Sequence, residues 1–114
     1  MAEFVRVASV SDVAADSAKQ VVVGGRKIAL VNVRGTFHAV DDTCTHEDES
    51  LSEGVVAGEI IVCPKHGSRF NVVSGRVLSL PAVRPLRTYP VKVEGDDVLL
   101  SLDGRPGQGM PHKA

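Results

Sequence analysis

The chain is predicted to be all-β, a barrel or sandwich of short antiparallel strands. Three observations predict this class. Runs rich in Val, Ile, Thr, Phe and Tyr recur along most of the length. Gly, Asp and Pro punctuate them as turn residues. The helical signal at Ser11-Asp12-Val13-Ala14-Ala15-Asp16, a candidate N-cap followed by one turn, is too short to shape a fold.

In chain order the strand-like runs are residues 4–8, 20–23, 27–33, 36–40, 59–63, 68–72, 89–93 and 98–102. Arg34-Gly35 between the third and fourth runs, and Gly95-Asp96-Asp97 between the last two, are hairpin signals. Those pairs are assigned to the scaffold. Val21, Val23, Ile28, Leu30, Val98 and Leu100 are its expected core. His38 lies inside a strand-like run and reads as structural. Residues 104–114, rich in Gly and Pro and without periodicity, read as a flexible tail in which His112 is solvated. Residues 1–103 therefore form one domain. Within it, residues 41–85 change character, with turn-forming Gly, Pro and Ser around both cysteines and two histidines, and read as a small lobe on top of the barrel.

A length of 114 residues leaves no room for a second catalytic domain. The net charge of -1 and the scattered Lys and Arg lack the basic footprint of a nucleic-acid binder. The start has no basic segment leading into an apolar one, and no apolar run approaches the roughly 20 residues of a membrane span. A soluble, cytoplasmic protein is expected.

The chemistry concentrates in Cys44-Thr45-His46 and Cys63-Pro64-Lys65-His66, which use both cysteines and half of the four histidines. Two thiolates and two imidazoles can complete a tetrahedral zinc site. They can also hold a 2Fe-2S cluster, with two thiolates on one iron and two neutral imidazoles on the other. Short zinc spacings usually gather cysteines in one knuckle and histidines in another. Here each loop offers one of each, which favours two metals, with zinc as the alternative. A Cys44 to Cys63 disulfide would leave both histidine spacings unexplained. Pro64 and Gly67 suit a tight loop whose N–H groups face anionic sulfurs, and Ser68 offers a hydroxyl donor or serves as a turn residue. Phe70 adds apolar cover without a donor.

Asp41-Asp42-Thr43-Cys44-Thr45-His46, then Cys63-Pro64-Lys65-His66-Gly67-Ser68-Arg69-Phe70-Asn71, then Ser74-Gly75, Leu80-Pro81 and Tyr89-Pro90-Val91 form a longer pattern. It resembles the soluble Rieske-type ferredoxins that serve bacterial aromatic-ring-hydroxylating dioxygenases. The resemblance implies a Rieske fold, an antiparallel base carrying a cluster-binding lobe, and one Rieske-type 2Fe-2S cluster. It implies Cys44 and Cys63 on one iron and His46 and His66 on the other through Nδ1, with the outer imidazole edges as the electron exit. It implies that Pro81 covers the cluster from a third side. Respiratory Rieske proteins carry an additional cysteine in each ligand loop, where this chain has Glu49 and Lys65, and a tyrosine where it has Phe70. Against a Rieske range of roughly -150 to +300 mV, the low end is expected.

The implied function is one-electron transfer from a ferredoxin reductase to a terminal oxygenase, by a monomer that docks transiently with each and has no catalytic residues. Asp41, Asp42, Glu47, Asp48, Glu49 and Glu53 on one side, with Lys65 and Arg69 on the other, form a candidate docking rim. The competing readings are the Rieske small subunit or module of a nitrite reductase-type oxidoreductase and a structural zinc adaptor.

Overall fold

The computed structural model describes residues 3–43, 50–65, 67–79 and 84–104. Ten strands occur among them: β1 (Phe4–Ser9), β2 (Ser17–Val23), β3 (Arg26–Val33), β4 (Thr36–Asp41), β5 (Val55–Ala57), β6 (Ile60–Val62), β7 (Arg69–Asn71), β8 (Thr88–Tyr89), β9 (Val91–Glu94) and β10 (Asp97–Ser101). Two 3-10 turns, Val10–Asp12 and Leu51–Glu53, are the only helical elements described. No helix among the described residues is long and apolar enough to cross a membrane.

The strands form three antiparallel sheets, ordered β1-β10-β9, β2-β3-β4-β8 and β5-β6-β7. The four-stranded sheet is central, and the pleat of β3 shows why. Ile28 to Val33 are all buried, the near-continuous apolar run of a strand covered on both faces. Ile28 and Leu30 join Phe37, Ala39, Val98 and Leu100 in the base core. Ala29, Val31 and Val33 face the other way, into a core with Leu51, Ile61, Cys63, Phe70 and Val72. One strand thus divides the base from the lobe.

Five of the six expected core residues are buried in the base, and Val23 packs half-buried against it. Arg34 and Gly35 form the β3–β4 turn, both at positive φ as a two-residue hairpin requires. Asn32, nearly buried, braces it by accepting from the Gly35 N–H at 2.7 Å while donating to the Val13 carbonyl at 2.8 Å.

Four expectations are corrected. The short turn starts at Val10, with Ser9 rather than Ser11 as its N-cap, and the Asp12 carboxylate accepts from the Ser9 N–H at 2.9 Å. The last hairpin turns on Gly95-Asp96 alone, because Asp97 already pairs with Glu94. Residues 89–93 are two strands. Pro90, lacking an N–H, is the corner at which the chain leaves β4 for β10. Finally, β5 is an additional strand that pairs with β6. Ahead of it, Gly54 is held so closely that a Cβ there would lie 1.9 Å from the Val62 carbonyl oxygen.

Candidate metal centre

The β6–β7 hairpin builds the second predicted ligand loop. Its register pairs Ile60 with Asn71, Ile61 with Phe70 and Val62 with Arg69. The Cys63 N–H then donates to the Ser68 carbonyl at 2.8 Å, continuing the ladder by one step. Cys63 and Ser68 therefore face each other at the root of a loop of four residues, 64–67. Because side chains alternate along a strand, Cys63 shares the inner face with Ile61, and Ser68 shares it with Phe70. All four are at most 1% exposed. The loop closes through Gly67, whose left-handed φ of 76° suits glycine and whose N–H donates to the Cys63 carbonyl at 3.0 Å. That N–H is thus committed to backbone closure rather than aimed at a sulfur. Pro64, Lys65 and Gly67 are exposed, whereas Cys63 is a free, buried thiol in the lobe core. The expected ligand His66 lies outside the described residues.

Cys44 and His46 also lie outside them, but both ends of their loop are described. Thr43 and Ser50 form an isolated antiparallel bridge, and the Leu51 N–H donates to the Asp42 carbonyl at 2.6 Å. Asp42 locks this root. Its carboxylate accepts from Gln20 Nε2 at 2.6 Å and from the Ser52 N–H at 2.7 Å, and the residue is 1% exposed. A buried carboxylate is tolerable because both oxygens are bonded. Leu51, the next residue past the bridge, enters the same apolar core as Cys63. The two loops are therefore rooted in one core.

A third segment approaches from β7. Asn71 turns the chain back by accepting from the Val73 and Ser74 N–H groups through Oδ1, at 2.8 and 3.1 Å. Val77 then bridges Phe70, the Leu78 N–H donates to the Arg69 carbonyl at 2.7 Å, and the Ser79 hydroxyl accepts from the Arg69 N–H at 3.0 Å. This delivers the chain to Leu80-Pro81, where the expected cover residue Pro81 lies outside the described residues. Among the described residues no three metal-ligating side chains converge, because three of the four expected ligands fall outside them.

The acidic rim needs correction. Asp42 is an internal anchor, and Asp41 accepts the Tyr89 hydroxyl hydrogen bond at 2.5 Å. Burial, followed by this bond to Asp41, raises the Tyr89 pKa above its ordinary value. Glu53, Lys65 and Arg69 are exposed, while Glu47, Asp48 and Glu49 lie outside the described residues. The sequence does not reveal the anchoring role of Asp42, because an Asp two residues before an expected ligand cysteine looks like surface charge. The Asx-like spacing to the Ser50-Leu51-Ser52 backbone becomes visible only once the loop closes. His38, on the lobe side of β4 with Val40, is half-buried, and burial lowers its pKa against a smaller upward pull from Glu59.

A family model for the Rieske [2Fe-2S] domain matches residues 3–90. The biphenyl 2,3-dioxygenase ferredoxin component of Rhodococcus jostii (strain RHA1) is 41% identical over 99 residues, covering 87% of this chain and 92% of that protein. Among solved structures, the Sphingomonas yanoikuyae B1 ferredoxin aligns with a TM-score of 0.82 at 31% identity, covering 87% of this chain and 98% of its own. A chain in the complex of reduced oxygenase and oxidized ferredoxin in carbazole 1,9a-dioxygenase aligns with a TM-score of 0.80 at 37% identity, covering 86% and 92%.

Proposed function

The chain belongs to the Rieske [2Fe-2S] family, and on that premise we propose that it is the one-electron carrier of an aromatic-ring dioxygenase system, holding its cluster through Cys44, His46, Cys63 and His66. The carrying observation is the pair of loops rooted in one apolar core, one at the Thr43–Ser50 bridge and the other at buried Cys63 opposite buried Ser68. The bound 2Fe-2S cluster supplies reversible uptake of one electron. Everything else is the work of the chain.

The donor chemistry fits that group. Cys63 is unpaired and buried, so no disulfide occupies it, and the lobe core around it excludes water. Ser68 stands across the ladder from it, where its hydroxyl tunes the site by favouring the more negative reduced state. Phe70 packs beside both as an apolar wall. Pro81 would cover the third side, reached by the segment that Ser79 ties to β7. The cluster-binding lobe spans about residues 41–85 of a single domain covering 1–103.

Named relatives point to the partner class. The ferredoxin components of biphenyl and naphthalene dioxygenase systems are curated relatives, and the carbazole 1,9a-dioxygenase complex pairs an oxygenase with a ferredoxin. By analogy this chain works as a cytoplasmic monomer, receiving electrons from a reductase and delivering them to an oxygenase. Like the ferredoxin components among its relatives, it is an electron-transfer component that makes no bond in substrate. A carrier that must dock and release twice needs small interfaces, below about 1,200 Å² in total.

Iron, zinc and sulfide analysis of anaerobically purified protein, with EPR before and after dithionite, tests the reading. Two irons and two sulfides per chain and a Rieske-type signal appearing only on reduction are expected for this family. Reconstitution with a reductase and an oxygenase should then support turnover. One zinc without a signal would overturn the carrier.

A further inference from the structure

One end of the central sheet sets exposed basic residues beside the acidic pair Asp41 and Asp42. The register pairs Ile28 with Asp41, so Arg26 and Lys27 at the start of β3 lie beside Asp41 and Asp42 at the end of β4. On the other side, the Asp41 N–H donates to the Arg87 carbonyl at 3.0 Å, while the Asp42 N–H donates to the Lys27 carbonyl at 3.1 Å. Three basic residues therefore flank two acidic ones. The acidic pair is turned to internal work, with Asp42 buried under Gln20 and Ser52 and Asp41 bonded to the Tyr89 hydroxyl.

The cations face outward. Arg26, Lys27 and Arg87 are all exposed, and none forms a salt bridge among the described residues. Together with Asp41, Thr43 and Tyr89 they line a shallow hollow, with three cations against one engaged carboxylate. Arg26 Nη1 reaches the Tyr89 hydroxyl at 3.4 Å and Arg87 Nη1 reaches the Gly104 carbonyl at 3.3 Å, so two of the three head groups are partly oriented. Thr43 immediately precedes Cys44, which sets the hollow against the first ligand loop.

We propose that this hollow is a docking surface for a carboxylate-rich patch on a protein redox partner, with Arg26, Lys27 and Arg87 steering that patch to the cluster end of the molecule. The proposal rests on the carrier reading above. Charge complementarity names the occupant: among the described residues the hollow holds an excess of exposed cations, which speeds encounter with an anionic surface and leaves release fast. Nucleic acid is a poor alternative, because the chain has net charge -1 and its single Tyr is buried here under a hydrogen bond, leaving no stacking platform in the hollow.

Small outer-sphere oxidants test the field without requiring the natural partner. The dithionite-reduced holoprotein loses one electron to ferricyanide, an anion, or to tris(phenanthroline)cobalt(III), a cation, and stopped-flow absorbance follows the reoxidation. In the variant Arg26→Gln, Lys27→Gln, Arg87→Gln, the ferricyanide rate constant should fall about fivefold at about 10 mM ionic strength, and the effect should vanish near 1 M. The cobalt complex should not slow. A control variant of equal charge, Lys19→Gln, Arg34→Gln, Lys92→Gln, removes exposed cations elsewhere and should fall much less.

Hexaglutamate provides the probe of a carboxylate-rich surface. It should slow ferricyanide oxidation of the unmodified chain at low salt and leave the hollow variant unaffected. Equal ferricyanide rates in both variants would overturn the steering. Ferricyanide sensitivity without competition by hexaglutamate would overturn the docking surface and leave a site for small anions only. A holoprotein preparation with no reducible chromophore would overturn the carrier reading, and this inference with it.

Discussion

The two cores on either side of β3 are built to different standards. The base is closed by strands of up to eight residues, paired through tight hairpins, and its buried side chains are almost wholly apolar. The lobe is closed by three strands of three residues each, and its core contains the free thiol of Cys63 beside the buried hydroxyl of Ser68. Strands this short supply few ladder bonds, so the lobe depends on its loop roots and, by the reading above, on the metal they hold. The base folds as a scaffold, whereas the lobe is finished by its cofactor.

The largest effect that would break this contrast is at Cys63. Cys63→Ala should abolish cluster incorporation, read as loss of iron and of visible absorption. Hydrogen exchange should then show lost protection in β5, β6 and β7 while β1, β9 and β10 keep theirs. Uniform loss across all three sheets would mean that the base also needs the metal. Next come matched cavities. Leu30→Ala in the base and Phe70→Ala in the lobe should each cost about 3 kcal/mol, since both side chains are fully buried. In urea unfolding both midpoints should fall, but only Phe70→Ala should also speed cluster loss to a chelator.

Gly54→Ala sharpens the contrast at the lobe edge. The methyl would meet the Val62 carbonyl, an overpacking of about 2 kcal/mol that thermal denaturation should show as a lower midpoint with β5 released first. A smaller effect is expected at Ser68. If its hydroxyl favours the reduced state by about 1 kcal/mol, Ser68→Ala lowers the reduction potential by about 40 mV, with cluster content unchanged. Voltammetry reads it directly, and an unchanged potential would return Ser68 to a packing role.

The smallest effect is a pH dependence at His38. Burial holds its folded pKa below the ordinary histidine value of 6.5, so the unfolded chain binds the proton more readily. The stability it contributes is present above pH 6.5 and is lost as pH falls below that through the folded pKa. A series of urea midpoints from pH 7.5 to pH 5 should decline less steeply in His38→Gln than in the unmodified chain. Equal slopes would remove His38 from the account.

These regions also differ in how far the sequence reveals them. The base was legible because long runs with β propensity and a two-residue turn at Arg34-Gly35 report their own geometry. The double burial of β3 was not legible: only Ile28 and Leu30 are expected in the core, Asn32 interrupts the apolar run, and the second core that takes Ala29, Val31 and Val33 is assembled from distant lobe residues. The lobe was marked by its ligand spacing rather than by strands. Val55–Ala57 is three residues long between two glycines, too short for any periodicity to register. Pro90 does not mark the strand break in the sequence because Tyr89 and Val91 on either side both favour β structure, and only tertiary pairing reveals that they belong to different sheets. Asp42 and Asp41 illustrate the same limit. Their charge is plain in the sequence, but their partners Gln20, Ser52 and Tyr89 are distant in it.

The pleat of β3 also bears on how such a protein can change over generations. Neighbouring residues of that strand answer to separate cores, so a substitution at Val31 is felt by Phe70 and Cys63 while its neighbour Leu30 continues to answer to Val98 and Leu100. Changes that share no packing partners combine almost independently. A lineage can therefore retune the electron-carrying half by small steps while inheriting the other half intact, with one strand serving as the firewall between them.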